Sequence, residues 1–216
     1  MRKVLIKLLA FLLCALLISG GVAACGSNGE GDRAEGPPAD IVFGDIDADI
    51  GDLLDFGGMS WLVLDVHDGK ALLIGEYVLD QQAYHPVRDD ITWEESRIRQ
   101  YLNEEFYNST FTETEKARII ETRNPNNDNT DYGTSGGNET SDLVFLLSTE
   151  EAQLYFADSE SRIGYTPDGV PKWWWLRTPG MYSVSASCVF GDGNILHLGN
   201  FVSYSLGIRP ALWIYL

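Results

Sequence analysis

Short bursts of apolar residues separated by polar ones mark the region from residue 41 to residue 79, and bursts of this length are typical of β-strands. The bursts are VFGDI, SWLVLDV and ALLIGEYVL. The last two flank the tetrapeptide HDGK, in which Asp68 and Gly69 are typical of a two-residue hairpin turn because both turn positions require positive φ. We therefore expect an antiparallel hairpin at this dipeptide.

The hydrophobic spacing changes to that of an amphipathic helix in the segment TWEESRIRQYLNEEFY. Its apolar positions are Trp93, Ile98, Tyr101, Leu102 and Phe106. Capping boxes, in which Ser or Thr is followed three residues later by Glu, predict the N-termini of three helices. The boxes are Thr92 with Glu95, Thr112 with Glu115, and Ser148 with Glu151. The second helix is expected to run to Ile120, and the third to follow a buried strand over LVFLLS.

Residues 124–142, NPNNDNTDYGTSGGNETSD, are predicted to form a long polar loop. One interpretation is an oxygen-rich calcium site that uses Asp128, Asp131 or Asp142, and the other is a solvated surface loop. The spacing of an EF-hand loop is absent, which favours the solvated loop. No metal and no cofactor is expected in this protein.

A second acidic run precedes the predicted hairpin and invites the same question. It consists of Asp45, Asp47, Asp49, Asp52 and Asp55. Ile50 and Phe56 occupy the positions at which an EF-hand loop needs Gly and Glu. The run is therefore interpreted as solvated residues alternating along an edge strand.

The N-terminus has the order of segments found in a secretory signal peptide. MRKVLIK is basic, LLAFLLCALLIS is apolar but too short to span a bilayer, and GGVAACGSN is rich in small residues. The tetrapeptide VAAC resembles the lipobox of bacterial lipoproteins, which predicts removal of residues 1–24 and acylation of Cys25. The alternative is an ordinary secretory signal that happens to end in Cys. Residues 25–40 are predicted to form a flexible tether, and residues 41–216 a single domain.

The charge balance is strongly acidic, with 32 Asp and Glu against 15 Lys and Arg. Removal of residues 1–24 takes away Arg2, Lys3 and Lys7 and lowers the formal net charge from −17 to −20. Such a chain repels nucleic acid and anionic lipid surfaces, so the only membrane contact expected is the lipid anchor. Cys25 and Cys188 alone remain, and they leave no disulfide framework for the exported domain.

Catalytic motifs are absent from the sequence. There are three histidines, and no HExxH, CxxC, GxSxG or Gly-rich phosphate loop. Cys188 lies among Ser and Val and is interpreted as a small buried hydrophobe. The protein is therefore predicted not to be an enzyme, and a hydrolase or oxidase is the least favoured hypothesis.

The segments TWEESRIRQYLN, SDLVFLLSTEEAQLYF, WWWLRTPG and GIRPALWI resemble, in order and spacing, a bacterial family of unknown function found in extracellular proteins and lipoproteins. The resemblance covers residues 54–216 and implies a single α+β domain, similar to C-type-lectin-like and formylglycine-generating-enzyme-like domains. It further implies a floor of tryptophans and two arginines, Arg177 and Arg209, that bind buried carbonyls or carboxylates. The tryptophans are Trp173, Trp174, Trp175 and Trp213. The oxidase cysteine pair and the Glu-Pro-Asn or Gln-Pro-Asp sugar motifs of those domains are missing.

Residues 181–206 resemble the variable segment of proteins that retroelements diversify, in which Asn codons of a template mutate at adenines. Such codons never yield Lys, Glu, Gln, Met or Trp, and residues 182–206 contain none of these, whereas Met181 departs from the rule. The resemblance implies a fixed frame of Ala186, Val189, Asp192, Gly193, Ile195, Gly199, Val202 and Gly207. It implies ligand-binding positions at Tyr182, Ser183, Val184, Ser185, Ser187, Cys188, Phe190, Leu196, His197, Leu198, Asn200, Phe201, Ser203, Tyr204, Ser205 and Leu206.

Composition permits two interpretations of this segment. A β-rich segment with tight turns also lacks Lys, Glu and Gln, which would make it ordinary core. Its many large apolar groups and its Tyr, Ser, Asn and Gly content favour a displayed binding surface instead. The protein is therefore predicted to be a lipid-anchored ligand-binding protein on the extracellular face of a bacterial cell membrane. Its partner would be a protein or glycan on another cell, a phage or a host; the alternative is a structural envelope lipoprotein.

Overall fold

A computed structural model describes residues 45–216, except for the side chain of Asp80, and these residues lie in one compact unit. The first seven strands are β1 Leu53–Phe56, β2 Met59–His67, β3 Lys70–Gly75, β4 Leu79–Ala83, β5 Ile119–Ile120, β6 Thr122–Asn124 and β7 Thr140–Asp142. The remaining strands are β8 Gly164–Tyr165, β9 Pro171–Lys172, β10 Trp174–Pro179, β11 Ser185–Val189, β12 Ile195–Phe201, β13 Ser205–Ile208 and β14 Ala211–Tyr215. The α-helices are α1 Arg97–Tyr101, α2 Tyr107–Thr110, α3 Glu113–Lys116, α4 Thr149–Tyr155 and α5 Ser159–Arg162, and a π-helical segment, Leu102–Phe106, joins α1 to α2.

Two five-stranded sheets carry the fold. The first has the strand order β1-β2-β3-β14-β5 and the second β12-β11-β10-β13-β4, while β6-β7 and β8-β9 form two-stranded ladders. Neighbouring strands are antiparallel except β10 and β13, which run parallel with Trp174 opposite Gly207. The C-terminal motif therefore joins the sheets, because β13 lies in the second sheet and β14, three residues later, in the first.

The expected fold class is wrong. Of residues 45–216, 37% lie in strands and 17% in helices, so this part of the chain is largely β rather than an α+β domain of the C-type-lectin-like or formylglycine-generating-enzyme-like kind. The physical reason lies in the helical segments. Only one is long, the run of α1, the π-helical segment and α2 from residue 97 to residue 110, and the other described helices have four to seven residues. One such run cannot form a layer of helices, and the core is built mainly from sheet residues.

The hairpin predicted at Asp68 and Gly69 is confirmed. Strands β2 and β3 pair up to His67 and Lys70, and the two turn residues have φ values of 51° and 70°. Positive φ at both positions is the conformation that a two-residue turn of this hand requires.

Two of the three predicted capping boxes are confirmed. In the boxes of Thr112 and Ser148, the hydroxyl accepts the backbone N–H of the Glu three residues later. The carboxylate of that Glu accepts the backbone N–H of the cap residue. The box at Thr92 is wrong, because the first helix begins at Arg97 and its N-cap is Ser96, whose hydroxyl accepts from the N–H of Arg99 at 3.2 Å.

Two predicted element boundaries also need correction. Helix α3 ends at Lys116 rather than Ile120, because Ile119 and Ile120 pair with β14 as a strand. The run LVFLLS is buried as expected but is not a strand, since only Phe145 forms a bridge, with Ala211.

One continuous apolar core contains residues of both sheets and of the segments around them. Its largest fully buried side chains are Trp61, Trp93, Trp174, Trp175, Tyr84 and Phe145. Of the early acidic run, Asp55 alone lies on the edge strand β1, and the others precede that strand and are exposed. The signal peptide, Cys25 and the tether lie outside the described residues. Among the helices described, none has the length and apolar character needed to cross a membrane.

Candidate binding surface

Six of the eight predicted frame residues are buried. Ala186, Val189 and Val202 are at most 1% exposed, and the glycines at 193, 199 and 207 are buried as well. Two frame residues differ: Ile195 is half-buried, and Asp192 is exposed in the turn between β11 and β12. The Asp192 carboxylate accepts two hydrogen bonds from Asn194, which lower its pKa.

Two of the frame glycines are required by the close approach of neighbouring backbone. Gly193 has a φ of 81°, and a Cβ there would lie 1.7 Å from the carbonyl oxygen of Ser159. Gly199 has a φ of 76°, and its Cβ would lie 2.5 Å from the carbonyl oxygen of Ala186. No other residue fits these positions without a shift of the backbone. The close contacts therefore fix the backbone just before β12, at Gly193, and within β12, at Gly199.

The predicted ligand-binding positions divide by exposure into three groups. The exposed positions are Tyr182, Ser183, Leu198, Tyr204 and Ser205. The half-buried positions are Val184, Phe190, Leu196, His197, Asn200, Phe201 and Ser203. The buried positions are Ser185, Ser187, Cys188 and Leu206.

Burial removes Ser187 and Cys188 from the predicted ligand-binding set, whereas Ser185 is only 3% exposed but lines the small cleft described below. Ser187 and Cys188 are 0% exposed, and Ser187 donates its hydroxyl proton to the carbonyl of Pro179. The Ser185 hydroxyl donates to the carbonyl of Tyr182 and accepts from the Tyr182 N–H, so it shapes the loop. These side chains belong to strand β11, which lies inside the second sheet between β10 and β12.

An open groove of about 590 Å³ lies beside the turn between β12 and β13. Its walls include Trp173, Lys172 and Gln81 from outside the variable-type segment, and Asn200, Ser203, Tyr204 and Ser205 from within it; Leu206 also lines it. Trp173 is 43% exposed and Tyr204 is 54% exposed. We call this feature the groove.

A smaller cleft of about 170 Å³ adjoins the groove and shares Asn200 with it. The exposed side chains of Tyr182 and Leu198 line the cleft, together with the ring of Phe201. The guanidinium of Arg88, in the segment before helix α1, lies 3.3 Å from the centre of the Phe201 ring. The groove and the cleft meet at Asn200 and are lined by aromatic and small polar groups, and we call them together the binding surface.

The polar loop 124–142 donates hydrogen bonds to the backbone of strands and turns next to this surface. Asn129 is 1% exposed, and its side-chain amide donates to the carbonyls of Pro179 and His197, both at 2.8 Å. Thr134 donates to the carbonyl of Met181 at 2.8 Å. The loop is mostly exposed, as the solvated interpretation predicts, but the buried amide of Asn129 also ties strands β10 and β12 together.

Asp142 has no free oxygen for the alternative calcium site. One oxygen of its buried carboxylate accepts from Arg99, and the other accepts from Trp93, Asn124 and Thr140. Among residues 45–216, no group of three or more His, Cys, Asp or Glu side chains could hold a metal ion.

The predicted tryptophan floor is half correct. Trp174 and Trp175 are fully buried, but Trp173 is exposed and Trp213 is only half-buried. Trp173 follows strand β9 and precedes strand β10, so it lies where the chain enters the sheet and its ring packs on Phe190 at the surface.

Both arginines behave as the resemblance implies. The Arg177 guanidinium binds the carbonyl of Leu146 at 2.9 Å and both oxygens of Glu151. The Arg209 guanidinium donates to the carbonyl of Gly75 at 3.1 Å, and its burial lowers its pKa to about 10, against an opposing effect of Glu76. These bonds fix β10 and the link between the two sheets. Burial likewise raises the pKa of the Cys188 thiol to about 12, so the thiolate needed for nucleophilic chemistry is scarce at neutral pH.

Residues 68–216 match a family model described as a domain of unknown function, DUF6273. The chain belongs to this family. The matched range of the DUF6273 domain contains strands β3 to β14 and the whole binding surface. No curated protein and no solved structure matches the chain.

Four groove residues of the DUF6273 domain were not predicted as ligand-binding from the sequence. Gln81 lies on strand β4, Pro171 and Lys172 form strand β9, and Trp173 precedes strand β10, about 30 to 120 positions away from the other groove residues. Trp173 stands in a run of three tryptophans, and nothing in that run distinguishes the exposed ring from the two buried ones. The strand order, with β13 between β10 and β4, brings the four residues to the turn after β12.

Proposed function

We propose that this protein is a surface-displayed ligand-binding protein and that the binding surface is its recognition site. The observation that carries the proposal is the agreement between exposure and the frame of the variable-type segment. Tyr182, Leu198 and Tyr204 are 55%, 44% and 54% exposed. Between them lie buried glycines and valines that hold the backbone, which is the arrangement of rigid aromatic anchors in a paratope.

The size and chemistry of the surface support the same proposal. The groove volume of about 590 Å³ falls in the range of about 300–1,000 Å³ usual for ligand sites. Exposed aromatic and aliphatic groups in a contiguous patch mark interaction sites on soluble domains. No catalytic role is proposed, because Cys188 is buried and its thiol pKa is raised.

A glycan-and-protein array tests the proposal. The full-length chain should bind a restricted set of spots, and the triple variant Tyr182→Ala, Leu198→Ala, Tyr204→Ala should lose them with an unchanged unfolding midpoint. Leu154→Ala is a matched control, because this side chain is 73% exposed on helix α4 and lines neither cavity. Retention of the same spots by the triple variant would exclude the binding surface as the site, and a chain that binds no spot would favour a structural envelope role.

The proposal includes anchoring to the extracellular face of the membrane through Cys25. It rests on the lipobox-like VAAC at residues 22–25. Cys25→Ser should leave the protein unacylated and released from the membrane fraction, with the folded domain unchanged. Unchanged fractionation and an unshifted mass of this variant would refute the anchor.

The proposal also includes diversification of residues 182–206 by a retroelement. It is supported by the absence of Lys, Glu, Gln, Met and Trp from this range. We expect the encoding DNA to lie near a reverse-transcriptase gene and a near-copy of the segment for residues 175–212, with adenines in the copy at every mismatch. A genomic neighbourhood without that copy would mean that the surface is fixed.

A further inference from the structure

Two exposed aromatic rings of the groove are held in place by a second ring each. Trp173 packs edge-on against Phe190 with 4.4 Å between ring centroids, and Tyr204 packs against Phe201 at 5.6 Å. The carbonyl of Trp173 also accepts the N–H of Gly207 at 2.9 Å. Aromatic faces carry negative charge density, so fixed and solvated rings attract the C–H groups on the flat side of a sugar ring.

Several polar groups of the groove are available to hydrogen-bond a ligand. Within residues 45–216, the side chains of Gln81, Ser203 and Ser205 and the indole N–H of Trp173 make no hydrogen bond to another group. In contrast, the buried tryptophans at 61, 93, 174 and 175 each donate to a protein acceptor. An apolar partner would cover these groups without pairing them, at an energetic cost, whereas a polyhydroxylated ligand can pair them.

One positive charge lines the groove. Among the described residues around it, Lys172 alone is charged, and its ammonium forms no ion pair. The pKa of the exposed Asp168 carboxyl is lowered first by the hydroxyl of Thr166, and the positive charge of Lys172 makes a smaller contribution. The chain has 32 acidic and 15 basic residues, so an unpaired cation at the groove is unusual on its surface. Such a cation attracts an anionic group of a ligand.

Resting on the proposed function, we infer that the groove binds a saccharide that carries a carboxylate. Trp173 and Tyr204 contact the flat face of the sugar, the amide and hydroxyl groups of Gln81, Ser203 and Ser205 pair with its hydroxyls, and Lys172 binds the carboxylate. Two kinds of sugar present this chemistry, the uronic acids of polysaccharide chains and the terminal sialic acids of glycoconjugates.

Titration calorimetry of the full-length chain tests the inference with two matched pairs of probes. Tri-galacturonic acid is compared with its neutral methyl ester, and sialyllactose with lactose. We expect one acidic probe to bind about tenfold more tightly than its neutral partner, because a charge-assisted hydrogen bond contributes an affinity difference of this order. The pair that shows the preference identifies the source of the carboxylate.

Single variants assign the roles of the groove residues. Lys172→Met should remove the preference for the acidic probe and leave the affinity for the neutral one unchanged, while Trp173→Ala and Tyr204→Ala should abolish binding of both. Lys70→Met and Tyr132→Ala are the controls, because neither residue lines the groove. Both controls should bind like the wild type.

The outcomes separate this inference from the proposed function. If none of the four sugars binds while array binding persists and depends on Tyr182, Leu198 and Tyr204, the inference is wrong and the proposed function stands. Equal affinity for acidic and neutral probes would overturn the role of Lys172 and of the carboxylate. A chain that binds neither the sugars nor the array would overturn both proposals.

Discussion

Replacing Asp142 with alanine should lower the free energy of unfolding by about 3–5 kcal/mol, which is the usual cost of removing one partner from a buried ion pair. The Asp142 side chain is 0% exposed and its carboxylate binds the guanidinium of Arg99 at 2.5 Å. It also accepts the indole N–H of Trp93 at 2.9 Å, the amide of Asn124 at 2.8 Å and the hydroxyl of Thr140 at 2.8 Å. Alanine would leave four donors without their acceptor.

Urea unfolding of two comparison variants makes the test specific. Asp131→Ala removes a carboxylate from the same loop, but that side chain is 54% exposed and approaches only His197, at 3.7 Å, so its loss should change stability by less than about 0.5 kcal/mol. Asp142→Asn keeps the volume and one acceptor oxygen and should lie between the two. An Asp142→Ala variant as stable as Asp131→Ala would show that this network does not hold the loop.

Local features of the fold were predictable from the sequence because their causes are local. The hairpin at Asp68 and Gly69 needs only two residues that accept positive φ, and the boxes at Thr112 and Ser148 need only a hydroxyl and a carboxylate three residues apart. The box at Thr92 failed because Ser96 competes for the same helix. The Ser96 hydroxyl also donates to the carbonyl of Trp93, and the buried Trp93 ring holds that turn outside the helix.

The loop 124–142 could not be predicted because its partners are distant in the chain. Polarity alone indicates a solvated loop, yet the amide of Asn129 binds carbonyls 50 and 68 residues away. The same limit applies to the fold class. The strand β14 pairs with β3 and β5, and neither the hydrophobic period nor the spacing of the motifs states which strands become neighbours.

One part of the groove was predictable from the sequence and another was not. The turn after β12 contributes Ser203, Tyr204 and Ser205, which the resemblance had implied as ligand-binding positions. Trp173 was expected in the core, since tryptophan is usually highly buried. Its exposure follows from its place one residue before strand β10 and from the ring of Phe190 that supports it.

The adjacent residues Trp173 and Trp174 test whether the first tryptophan belongs to the groove and the second to the core. Trp174→Ala should lower the free energy of unfolding by about 3–5 kcal/mol, because it empties a large volume in the core. The Trp174 ring is 0% exposed, donates to the carbonyl of Arg162 at 3.2 Å and lies 5.2 Å from the Arg209 guanidinium. Trp173→Ala should cost only about 0.5–1.5 kcal/mol, which is the value of one aromatic pair, because this ring is 43% exposed and packs mainly on Phe190.

Ligand binding should respond in the opposite order, measured on the same two proteins at a temperature where both are folded. Trp173→Ala removes a wall of the groove and should abolish binding, whereas Trp174→Ala, once folded, keeps every side chain that lines it. The variants share the same chemical change at neighbouring positions, so a difference between them reports position alone. Equal destabilisation by both would place Trp173 in the core, and the groove would then lose a ring on which the proposed recognition depends.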